Sequence, residues 1–325
     1  MYFKLFEKSI FPIICKFHTI IIIIIFLKNC EDKFKLIIII SKIFNDKIKI
    51  CLCTLAKNEN KYIVEFIEHY KNYGIDKIFL YDNNDINGEN FDFLSNYTKT
   101  NLLQIFNYRG ILHPQLKIYE ECYYNNYKNY KWFLFFDVDE YIHLENNLNL
   151  HDFLFNPKFM KCPSVYLNFN THTDNEMKYY INRSLFERFP KVIQKKNHCI
   201  GKSILRGNIE NIHMQSCHIL DGKLKRCNGF GDIIALRFLS CKVPDYKYNY
   251  IDHFQFKSTD EFVQKVKKGD GRHINSEKIK YRKIWEYFSF NKITLYKIKY
   301  IADNLGLNES YIRNQLYLFA SKFIW

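Results

Sequence analysis

A chain of 325 residues with 47% hydrophobic content can bury a sizeable core, as one large domain or two smaller ones. Its formal net charge of +14 favours anionic partners such as nucleotides, nucleic acid or acidic lipid. Lys and Arg are scattered in short clusters without a nucleic-acid reader fold, which argues against nucleic acid, and ten cysteines without a Cys-x-x-Cys pair exclude zinc-finger spacing.

In chain order, residues 9–27 (SIFPIICKFHTIIIIIIFL) come first and are nearly long enough to span a bilayer. Lys16 near the centre costs about 2.5–3.5 kcal/mol on insertion scales, and the Ile run that follows roughly offsets this. No small-residue cleavage site follows, so residues 1–46 are expected to carry an uncleaved single-pass membrane anchor. Flanking charges are too balanced to set its orientation.

IKICLCTLAKNEN (48–60) predicts a strand opening into a polar loop, with Cys51 and Cys53 as packed thiols on one face. Ile63, Phe66, Ile67 and Tyr70 then recur at helical spacing up to Gly74. DKIFLYDNNDINGEN predicts a second strand ending in a turn-rich loop at Asp82 and Asn83, so the unit is βαβ with a parallel sheet. Residues 114–130 predict a helix, and WFLFF (132–136) a buried strand running into Asp137, Asp139 and Glu140. Ligands in open α/β sheets bind at the carboxyl ends of strands, which gathers Lys57, Asn58, Glu59, Asp82, Asn83, Asp137 and Asp139 along one edge. Beyond residue 160 short strands are expected in PSVYLNFN, KSILRG and IHMQSCHIL, then a helix in TDEFVQKVKKG, with residues 276–325 mostly helical. Asn96, Asn182 and Asn308 head glycosylation sequons, at about the frequency an Asn-rich chain produces by chance.

Asp137-x-Asp139 at a strand end suits a divalent cation that neutralises a diphosphate. The same pattern suits a haloacid-dehalogenase-like phosphatase with Asp137 as nucleophile, although Tyr141 stands where that family has Thr or Val. The bland reading is a set of exposed carboxylates capping the next helix.

The combination of CTLAKNENKYIVEFIEHYKNYGIDKIFLYDN, WFLFFDVDEYI, GKSILRG and DHFQFKSTDEFVQKVKKG resembles glycosyltransferase family 92 and related family-2-like transferases over residues 48–270. The resemblance implies an α/β GT-A fold with a mixed central sheet over residues 47–272, followed by a helical C-terminal addition at 273–325. It implies a uridine nucleotide-sugar donor, a glycan hydroxyl acceptor, and Mn²⁺ or Mg²⁺ held by Asp139. Asp137 would contact that metal, through water, or the donor's ribose. Thr54, Ala56, Lys57, Asn58 and Glu59 would frame the nucleotide, partly through backbone groups; Asp82 would contact the ribose or base, and Asn83 belongs to the same nucleotide-binding set. Lys202 and Arg206 share a strand face suited to diphosphate or sugar, with a solvated face as the alternative. His218 and His253 are the candidates for a further metal ligand. Glu140 is open between a substrate role and a buried ion pair. An inverting transfer needs a carboxylate base, for which Asp174 is the first candidate and Glu176 the second. The stretch NFNTHTDNEMKYY departs from the family pattern, which leaves the acceptor undefined. The rival from another class is a membrane-anchored, non-catalytic glycan- or nucleic-acid-binding protein with a degenerate GT-A domain.

Overall fold

The unbroken apolar run ICLCTLA forms the central strand β1 (Ile50–Ala56) of a computed structural model describing residues 49–159, 161–173, 183–193, 200–234, 248–269 and 277–322. The chain leaves β1 through α1 (Ile63–Asn72), whose Ile63, Phe66, Ile67 and Tyr70 are all buried, as their spacing predicts. Gly74, at φ +82°, turns it into β2 (Lys77–Asp82), which pairs parallel with β1. After α2 (Ser95–Lys99), β3 (Leu103–Asn107) extends the parallel sheet; this strand was not anticipated. α3 (Gln115–Asn126) leads to β4 (Trp132–Phe135), parallel to β1 on its other side. The carboxyl ends of β1, β2 and β4 therefore lie on one edge.

A turn closed by Glu140 N–H donating to Asp137 O (3.0 Å) starts β5 (Glu140–His143). α4 (Leu150–Leu154) follows, then β6 (Ser164–His172), α5 (Leu185–Arg188), β7 (Val192–Ile193) and β8 (Gly201–Arg206). The short strands β9 (Arg226–Cys227), β10 (Ile233–Ile234) and β11 (Tyr250–His253) complete the set. The main path is β10-β9-β6-β8-β4-β1-β2-β3, and β8 runs antiparallel to both β4 and β6, which makes the central sheet mixed as expected. β11 joins β5 antiparallel and β6 parallel. A Cβ on Gly201 would lie 1.9 Å from Leu167 O, so only glycine allows β8 this close to β6.

Two apolar layers sandwich the sheet. Ile50 and Leu52 face one with α1, while Cys51 and Cys53 face the other with α3 as buried free thiols. Helices α6 (Thr259–Lys268), α7 (Glu277–Phe290), α8 (Leu295–Leu305) and α9 (Glu309–Lys322) build a third cluster around Phe262, Tyr287 and Ile301.

Besides β3, two features differ from the sequence-based expectation. IHMQSCHIL is not a strand: only Ser216 and Leu220 form a β-bridge. Its backbone bonds to side chains instead, with Met214 N–H donating to Glu120 and His213 N–H to Asp221. Second, Cys162 and Cys227 form a disulfide, tying the approach to β6 to β9. The expected anchor lies outside the described residues; among those described, no helix is long and apolar enough to cross a membrane.

Candidate active site

The carboxyl edge of β1, β2 and β4 opens into a cavity of about 570 Å³, within the range of small-molecule sites. Its floor is the turn Asp137–Glu140; one wall comes from the loops after β1, β2 and β3, and the other from α6 and α7. Of the residues singled out by sequence, Lys57, Glu59, Asn83, Asp137, Asp139, Glu140, His218 and His253 line it.

The wall is pinned by its own polar side chains. Asn58, at φ +54°, donates its N–H to Asn84 Oδ1 (2.7 Å), and Asn83 donates to the carbonyls of Tyr108 and Ile111. Asp82 accepts from Asn84 and pairs with Arg109 at 3.1 Å. Arg109 also donates to the carbonyls of Asp85, Ile86 and Gly88, which fixes the loop after β2. Asp82 and Asn58 thus shape the wall from behind and are not part of the lining. Thr54 and Ala56 are fully buried, Ala56 in the core layer beside α1, and neither is among the cavity-lining residues.

On the floor, Asp137 Oδ2 lies 3.0 Å from Lys202 Nζ, and its Oδ1 accepts from Gln115 (3.1 Å) and Tyr119 (3.3 Å). Glu140 Oε2 accepts the Asp137 N–H at 2.9 Å and stands 3.2 Å from Lys202. One ammonium serves two carboxyl groups, Glu140 buried and Asp137 partly exposed to the cavity. Burial opposes ionisation of Asp137, but the charge and hydrogen bond of Lys202, with His218, together hold that carboxyl below its ordinary range. For Glu140 burial wins, reinforced by Asp137 and Asp139, and its pKa rises well above the usual value. Glu140 is therefore a buried partner of Lys202 as well as a floor residue.

Lys202 is fully buried beneath the floor. Arg206 is a correction: it shares the alternation of Lys202 but sits at the far end of β8, paired with Trp132 at the start of β4. Its guanidinium donates to the carbonyls of Cys162 and Phe159 and lies over the Trp132 ring. Four residues of strand, about 13 Å, separate the two cations.

Pairing of β11 with β5 sets His253 opposite Glu140, with its Nε2 3.8 Å from Asp139 Oδ1. Burial, with a contribution from Lys265, pushes His253 down to about 3 against the pull of Asp139, so the imidazole is neutral near pH 7. Its Nδ1 is buried with no hydrogen-bond partner among the described residues. Asp139, Glu140 and His253 each offer a ligand atom within 4.8 Å of one another. Two carboxyl groups and a neutral imidazole, one of whose ring nitrogens has no hydrogen-bond partner among the described residues, form a donor set that suits a divalent cation. His218 lines the cavity farther along, its Nδ1 2.9 Å from Gly201 O, outside that cluster. Asp174 and Glu176 lie outside the described residues.

Sequence reasoning missed the lysines of α6. Ser258 and Glu261 cap this helix reciprocally, and Lys265 and Lys268 occupy its last turn, where cations favour the helix dipole. Lys265 Nζ is 2.6 Å from Asp139 Oδ2, and Lys268 Nζ is 2.6 Å from Glu59 Oε1 and 2.7 Å from Lys57 O. Burial alone would raise the Asp139 pKa, yet Lys265, His253 and Lys257 together hold it well below the carboxylate range. The only trace in the sequence is the Lys265–Lys268 cluster itself. α7 adds Arg282, Lys283 and Glu286 to the lining.

The sequence model of Glycosyltransferase family 92 matches residues 46–305. The chain belongs to this family. Two curated family 92 proteins are similar to it, one of Ricinus communis (28% identical, covering 32% of the chain and 19% of that protein) and one of Oryza sativa subsp. japonica (28% identical, 33% and 18%). The matched stretch thus spans under a fifth of either plant protein. Among solved structures, S. aureus TarS 1-349 is similar at 12% identity and a TM-score of 0.35, over 79% of the chain and 70% of TarS. The same fragment in complex with UDP gives 14% identity and a TM-score of 0.32, over 49% and 46%. Family 92 membership agrees with the mixed α/β arrangement and leaves the phosphatase alternative without support.

Proposed function

We propose that this chain transfers a sugar from a nucleoside-diphosphate donor, with uridine as the base, to a hydroxyl of a glycan or glycoconjugate, with inversion. The observation that carries this is the convergence of Asp139, Glu140 and His253 on the floor of a cavity walled by the loops after β1, β2 and β3. A divalent cation, Mn²⁺ or Mg²⁺, would be held by Asp139 and His253 beside Glu140 and would supply positive charge for the leaving diphosphate.

The chain's own groups do the rest. Loops 57–59 and 82–85, with Asn83 on the cavity face, cradle the nucleoside. Lys202 orients Asp137 and Glu140 from below. Cations along α6 line the same cavity and would offset the charge that develops on the leaving diphosphate. The acceptor hydroxyl gives its proton to a carboxylate, with Asp174 as the candidate, while its oxygen displaces the diphosphate at the anomeric carbon. Residues 9–27 would anchor the enzyme to a membrane.

A thermal-shift panel of nucleotide sugars with and without Mn²⁺ tests the assignment. A uridine nucleotide should stabilise the protein when metal is present, and Asp139→Ala should lower transfer at least about a hundredfold. Absence of any nucleotide response in metal, or full activity of D139A, refutes it.

A further inference from the structure

We propose that Lys265 is a donor-binding residue whose ammonium passes from Asp139 to a diphosphate oxygen when the donor enters. This rests on the nucleotide-sugar reading above and adds a residue to it.

Lys265 Nζ makes two contacts, to Asp139 Oδ2 at 2.6 Å and to the carbonyl of Gln255 at 3.0 Å. An ammonium has three donors, so one remains for the cavity that Lys265 lines. Its side chain is 37% exposed and leaves the last turn of α6, so it can swing. Lys202, the other cation at the floor, is fully buried and clamped by two carboxylates, so it cannot. Lys268, one turn on, is tied to Glu59 and to the Lys57 carbonyl. Of these three lysines, Lys265 alone combines contact with the Asp-x-Asp turn and freedom to leave it.

Asp139 cannot serve an ammonium and a divalent cation equally, because the two repel each other across the same carboxylate. A diphosphate brings the negative charge that draws the ammonium away, and a lysine binds phosphate as a mobile point charge. Lys265 therefore competes with the metal in the absence of nucleotide and cooperates with it in its presence.

Calorimetric titration of the full chain with Mn²⁺ alone, and with uridine diphosphate at saturating Mn²⁺, tests this on wild type, Lys265→Met and Lys265→Arg. Lys265→Met should bind Mn²⁺ alone about tenfold more tightly. It should bind uridine diphosphate about tenfold more weakly, the size of one charge-assisted hydrogen bond. Lys265→Arg should restore most of the nucleotide affinity, and it carries the test if the methionine variant does not fold. Wild-type affinities for both ligands in both variants would reduce Lys265 to a tether for α6 and overturn the proposal alone. A wild type that binds neither ligand would overturn the donor reading and Lys265 with it.

Discussion

The Glu140 carboxyl and the Lys202 ammonium stand 3.2 Å apart, and neither side chain is more than 2% exposed. The same ammonium holds Asp137, so the Asp-x-Asp turn rests on one buried charge. Removing it leaves two carboxylates without a cation beneath the cavity. Lys202→Met should therefore cost about 3–5 kcal/mol in denaturant unfolding, the usual result of breaking a buried pair on one side. A midpoint within error of wild type would show that the pair does not hold the turn.

Asp82 acts on the cavity wall through Arg109. Asp82→Ala frees the guanidinium that binds three carbonyls of the loop after β2, together with the Asn84 amide. Its uridine diphosphate affinity should fall about tenfold, with a stability loss of about 1–3 kcal/mol from the lost charged hydrogen bonds. Calorimetry and thermal unfolding on one preparation separate the two effects.

The bridge between Cys162 and Cys227 closes a separation of 65 residues. Reduction, or Cys227→Ser, should remove about 2–4 kcal/mol by freeing the unfolded chain. The comparison to make is the melting temperature with and without reductant, expected to differ in wild type and to coincide in the serine variant.

His151 gives the clearest pH signature. Its hydrogen bond to Asp76, at 3.1 Å, outweighs burial and raises its pKa above the ordinary histidine value. A raised histidine stabilises the fold while protonated, and that contribution is lost as pH climbs through the raised value. Asp76 also accepts the Ile50 N–H at 2.8 Å, so the pair braces the start of β1. Melting temperature should drop between about pH 6 and pH 8, and the drop should shrink in His151→Gln. Identical profiles for the two proteins would remove His151 from the account.

Much of the sheet's carboxyl edge was legible because β1, β2 and β4 are apolar runs that stop abruptly at polar residues, and α1 keeps its period without interruption. Carboxylates directly after a buried strand must be satisfied, which pointed to Asp137 and Asp139 before any contact was known. Lys265 and Lys268 were not legible, since a lysine aimed at a site and one aimed at water leave the same pattern in the last turn of a helix. Arg206 shows the opposite failure: alternation gave its face correctly, but periodicity says nothing of distance along a strand. The Cys162–Cys227 pairing depends on β9 returning beside β6, which local spacing does not encode. β5 was hidden because its first residue, Glu140, also belongs to the acidic turn.

Gly201 carries none of the site's charge, yet it sets the site's dimensions. Its missing Cβ lets β8 approach the Leu167 carbonyl, and Lys202 is the next residue. Even one added methyl at position 201 must lift the strand, and with it the cation that keeps Asp137 and Glu140 in register. Evolution of this floor is thus constrained at a position with no chemistry of its own: the acidic turn can be retuned by exchanging side chains, but its height above the sheet is fixed by a hydrogen atom.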